Sequence, residues 1–94
     1  MTTIFGDGSR TSINGPVSIA TIFNPQGISI HPITQEVYIA EYGGQNIRGW
    51  NRISQTVRTV VGLVSPLYLD FLNDGTLFIT TTGNGIHKLF TNGM

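Results

Sequence analysis

The chain has no cysteine, and only 11% of its 94 residues are charged. Without cysteine there can be no disulfide, thiolate zinc centre or cysteine nucleophile, and the redox compartment is left open. Five basic residues, Arg10, Arg48, Arg52, Arg58 and Lys88, are scattered along the chain and balanced by five acids. No basic patch of the kind a phosphate backbone requires is present, so nucleic acid is not an expected partner. Long apolar runs are also missing; none approaches the roughly 20 residues of a membrane-spanning helix. Residues 1–20 hold no basic region followed by an apolar stretch, so no secretory leader is expected, Met1 is the expected mature start, and expression is expected in the cytoplasm. Apolar spacing of three and four is absent as well, which excludes amphipathic helices.

What is present is spacing of two. The runs Ile28–Ile30, Val37–Ala40, Ile47–Trp50, Val57–Val61, Leu67–Phe71, Leu77–Ile79 and Ile86–Phe90 are rich in Val, Ile, Thr, Tyr and Phe, the pattern of strands half buried on one face. Between them lie His-Pro-Ile-Thr-Gln, Tyr-Gly-Gly-Gln, Asn-Arg-Ile-Ser-Gln, Asn-Asp-Gly, Thr-Gly-Asn-Gly and Thr-Asn-Gly. These are hairpin turn residues, with Gly supplying and Asn tolerating positive φ. The expected fold is an all-β meander.

The meander repeats. With Pro25 set on Pro66, Ile28 falls on Leu69, Ile30 on Phe71, Val37-Tyr38-Ile39 on Leu77-Phe78-Ile79, Ile47 on Ile86 and Trp50 on Leu89. The first copy has four strands and the second three. Val57–Gly62 aligns with Met1–Gly6, so the frame reads as two four-stranded units cut one strand out of phase. Four-stranded meanders repeating every 40 to 50 residues or so are the blades of β-propellers.

In these residues the chain resembles the NHL repeat. Pro25, Gly27, Ile28, Glu41, Asn46, Ile47, Arg48 and Gly62 fill that family's pattern, with Glu41 where the family usually carries Asp. The second copy keeps Pro66, Asn84 and Ile86 but has Thr81 and His87 at the acidic and basic positions. The resemblance implies a propeller, commonly of six blades. It implies no single function, because the family includes protein-binding, RNA-binding and enzymatic members.

Two blades alone would leave two outer faces and a strand edge in water. The expected organisation is therefore residues 1–6 as an outer strand completing the second blade of a neighbouring chain, 7–24 as a rim linker, 25–62 as the first blade, and 63–94 as three strands of the second. Met1, Thr2, Thr3, Ile4, Phe5 and Gly6 would pair with Ile86, His87, Lys88, Leu89 and Phe90 of the preceding chain. Such head-to-tail contact closes into a ring, with a homotrimer of six blades favoured over a dimer or tetramer. The linker's eighteen residues could also fold residues 1–6 back onto their own chain, since they reach roughly 60 Å when extended.

The expected function is self-assembly into a symmetric ring, whose rim is open to protein partners, with no catalysis and no cofactor. Rim contacts are expected from Arg10, Glu41, Tyr42, Gln45, Asn46 and Asn84, and the alternative is a sugar- or peptide-binding module. Glu41 is also expected to hold turn amides of the Gly-Gly-Gln-Asn stretch. Asp70 interrupts an inner strand; three copies around an axis are the basis for a third alternative, a metal-dependent lyase or lactonase. His31 and His87 lie 56 positions apart on different strands and lack metal-ligand spacing. Trp50, Tyr38, Phe71, Phe78 and Phe90 are expected in the core between blades.

Overall fold

A computed structural model describes residues 1–83 and 85–91. Eight strands form two antiparallel sheets: β1 (Gly15–Pro16), β2 (Pro25–Ile30), β3 (Val37–Glu41), β4 (Asn46–Asn51), β5 (Thr56–Gly62), β6 (Pro66–Phe71), β7 (Thr76–Thr81) and β8 (Ile86–Phe90). The first sheet runs β1-β5-β4-β3-β2 and the second β6-β7-β8. No helix occurs among the described residues. All seven strands expected from the alternation are present.

The turns of the first sheet depend on glutamine rather than glycine. Gln35, Gln45 and Gln55 each precede a strand with φ of 65°, 58° and 56°, and Gly75 and Gly85 stand before β7 and β8 with φ of 92° and 114°. The left-handed region costs a residue with a Cβ about 1 kcal/mol or more, so the hairpin closures of the first sheet carry strain that those of the second avoid.

The two sheets repeat one register. Pro25 pairs Glu41, a bulge follows, and Gly27 pairs Ala40; Pro66 pairs Thr81, a bulge follows, and Tyr68 pairs Thr80. Ile39 lies opposite Arg48 as Ile79 lies opposite His87. The chain enters both sheets alike, because Asn24 and Ser65 have φ of 53° and 51° and their carbonyls accept the N–H of Tyr42 (3.1 Å) and Thr82 (3.2 Å).

The sheets pack face to face. Tyr38, Ala40 and Ile47 of the first meet Leu77 and Ile79 of the second, bordered by Leu63, Leu69, Phe71 and Leu89. At the inner edge β2 comes within backbone contact of β6: a Cβ on Gly27 would lie 2.9 Å from Tyr68 Cα and closer still to the Leu67 carbonyl. Gly27 is therefore required by the approach itself. At the opposite end His31, 2% exposed, joins the sheets. Its Nδ1 accepts the N–H groups of Ile33 (3.1 Å) and Thr34 (3.2 Å), which places the proton on Nε2, donated to Thr91 Oγ1 at 2.7 Å. The Thr91 hydroxyl donates in turn to the Gly75 carbonyl. The His31 ring also lies against Tyr38 and Phe71, with centroids 5.9 and 5.0 Å away.

The aromatic residues divide. Tyr38 and Phe71 join the core between the sheets, whereas Trp50 and Phe78 are half-buried on outward faces and Phe90 is 62% exposed. Residues 1–6 pair with neither sheet, and β8 bonds only β7 among the described residues. Part of the expected rim linker is instead a layer of the first sheet: β1 pairs with Thr56 and Val57 of β5, and Ala20 and Thr21 are buried.

Candidate functional site

The most heavily bonded cluster is a buried ion pair at the end of the first sheet where residues 42–45 and 63–65 turn. Glu41 ends β3 and Arg48 sits in β4, both with side chains 0% exposed, joined at 2.8 Å. Arg48 Nη1 also donates to the Thr21 carbonyl (3.0 Å), Nη2 to the Ile13 carbonyl (3.0 Å) and Nε to Asn14 Oδ1 (3.1 Å). Glu41 accepts from the Ser12 hydroxyl (2.8 Å), the Phe23 N–H (2.9 Å) and Asn46 Nδ2 (3.1 Å). The pair thereby fixes residues 12–23 across the outer face of the sheet. Buried charge is tolerated when paired and hydrogen-bonded, and both conditions are met.

This geometry corrects the expectation that Glu41 and Asn46 face ligands on the rim. Glu41 has no exposed surface, and Asn46 Nδ2 is spent on Glu41 and on the Gly44 carbonyl (3.0 Å). The expected hold of Glu41 on the Gly-Gly-Gln-Asn turn goes to the Asn46 side chain. Of the remaining rim residues, Arg10 and Gln45 are exposed and Tyr42 is half-buried. Asn84 lies outside the described residues. Nothing in the sequence spacing announces the packing of residues 12–23 or the role of His31; the available signal is an acidic and a basic residue at diagonal positions on one face of neighbouring strands.

In the second sheet the equivalent place is open. Thr81 and His87 stand where Glu41 and Arg48 do, and with Leu63, Val64, Ser65 and Thr82 they line a pocket of about 290 Å³. Only residues 63–65 connect β5 to β6, and no segment comparable to 12–23 crosses it among the described residues.

At the other end of the sheets Arg58 grips Glu36, with Nε to Oε2 at 2.9 Å and Nη2 to Oε1 at 2.8 Å, and reaches Tyr38 Oη at 3.3 Å. The bonded Glu36 carboxylate pushes the Arg58 guanidinium further up. Burial, then the Glu36 charge, raises the Tyr38 phenol above its ordinary value. Asp70 is exposed on β6 opposite Phe78. Among the described residues no three His, Cys, Asp or Glu side chains come together as metal ligands. No helix among them is long and apolar enough to cross a membrane. No protein-family model matches the chain, and no curated protein does.

Proposed function

We propose that this chain is a two-blade unit of a β-propeller resembling the NHL repeats, a structural building block that joins copies of itself head to tail rather than a catalyst. The observation that supports this reading is the repeated register: both sheets begin with proline opposite the acidic position, bulge at the next residue, and continue with the same facing pairs. One sequence unit written twice in one geometry, stacked face to face, is the arrangement that extends by adding further units. The outer edge of β8, which pairs with no strand among the described residues, supplies the acceptor for Met1–Gly6 of another copy, which align with Val57–Gly62 of β5 and share its Thr and closing Gly. Head-to-tail addition is heterologous and closes when the rotation per chain divides the circle; three chains give six blades.

The native mass tests this reading. Three chains weigh about three times 10.2 kDa, and deletion of residues 1–6 is expected to abolish that assembly. A deletion variant of unchanged multi-chain mass would refute the strand exchange, and a full chain that remains single at high concentration would refute the assembly.

A further inference from the structure

We infer that the outer face of the second sheet docks along the open β2 margin of the first sheet of another copy, with Ile86 entering the apolar pocket there. The inference rests on the proposed assembly and specifies its contact surface.

Each sheet turns one face to the other; the far face of the second is bare, whereas that of the first is covered by residues 12–23 over β3 to β5 and open along β2. On the first sheet Tyr38, Ala40 and Ile47 face the second sheet and are 2%, 0% and 0% exposed. The shared register places Phe78, Thr80 and Ile86 at the same positions of the second sheet, on the side away from the first, and Ile86 is 74% exposed. The receiving side shows the converse. Leu69 and Phe71 of the second sheet are packed against the core, whereas Ile28 and Ile30 at the matching positions of the first sheet are 68% and 50% exposed. The bare face of the second sheet thus carries the inserting row, and the open β2 margin of the first carries the receiving row.

The receiving row already contains a cavity. Ile4, Phe5, Ile22, Ile28 and Ile39 border a pocket of about 300 Å³ on the outer face of the first sheet. Leu63, Leu69 and Ile79 occupy the positions of Ile22, Ile28 and Ile39 in the second sheet, and there they belong to the cluster that encloses Ile47. The chain therefore fills this cavity once, with its own Ile47, and presents the same cavity empty of Ile47's counterpart on the other side. Ile86 is that counterpart, and only a second copy can bring it there, because its own sheet lies on the far side of the first.

Complementation by two variants tests the contact. Ile86 and Ile28 are both bare in the single chain, so Ile86→Asp and Ile28→Asp leave its core untouched, which far-ultraviolet circular dichroism checks. Each variant alone is expected to run at the mass of one chain. Mixed in equal amounts they are expected to form a two-chain species, since one intact inserting face then meets one intact receiving face. Variants that keep the wild-type multi-chain mass would overturn the docking surface while leaving the assembly standing, and a mixture that stays at one chain would overturn its head-to-tail sense. If the wild-type chain is itself single, the assembly fails and this contact with it.

Discussion

Replacing Arg48 with methionine is expected to cost more stability than any surface substitution in the chain. The guanidinium is wholly buried and gives up four hydrogen bonds: to Asn14 Oδ1, to the Thr21 and Ile13 carbonyls, and to the Glu41 carboxylate. Methionine fills much of the volume but leaves a buried carboxylate without its counter-charge. Breaking one side of a buried pair costs about 3–5 kcal/mol; the lost carbonyl partners overlap with that figure rather than add to it. A domain of 94 residues is stable by about 5–14 kcal/mol, so the substitution removes about a fifth of the total or more. Arg58→Met is the control, because the Arg58 side chain is 45% exposed and such a pair is worth about 0.2–1 kcal/mol. Urea unfolding followed by Trp50 fluorescence gives both numbers, and limited proteolysis reports whether residues 7–24 detach first. A loss for Arg48→Met within about 1 kcal/mol of the Arg58→Met value would refute the claim that the ion pair anchors that segment.

Two further outcomes follow from the contact between sheets and from the charges around Tyr38. Gly27→Ala drives a methyl into the backbone of β6 and is expected to cost about 1–3 kcal/mol, with hydrogen exchange at Leu67–Leu69 quickening; an unchanged thermal midpoint would show that β2 and β6 are not in backbone contact. The Tyr38 phenol holds its proton more tightly folded than unfolded, from burial first and the Glu36 charge second, so stability is level below about pH 10 and falls as pH rises through the folded value. Tyr38→Phe is expected to remove that alkaline slope, and equal slopes in the two proteins would contradict the assignment.

The seven principal strands were legible because each alternates and each turn carries Gly, Asn or Pro, and the doubled register followed from placing Pro25 on Pro66. What was hidden shares a physical cause. β1 is two residues long, with a proline that has no N–H, so no periodicity announces it and its pairing is decided by the edge of β5 that it meets. Residues 12–23 read as part of a rim linker because their contribution is mostly backbone carbonyls and N–H groups, which every residue has. His31 lacked any ligand spacing, yet its two ring nitrogens are engaged with the turn that follows it and with Thr91, 60 residues along the chain. Glu41 was read as an acidic strand end facing a turn, and the finding that it is enclosed depended on a segment whose path only tertiary packing determines.

Gly27 carries a consequence for the shape of any larger assembly. Its lack of a side chain lets the inner edges of the two sheets touch, so the angle between them opens outward from a closed vertex. At the same register position the second sheet has Tyr68, 62% exposed and directed away from the first sheet. A neighbour approaching that side meets a phenol ring where the first junction has bare backbone. In an assembly of such units that vertex would be held apart and the wedge narrower. Rings of this chain would alternate a sharp angle with a shallow one, and their symmetry would be that of chains, not of blades.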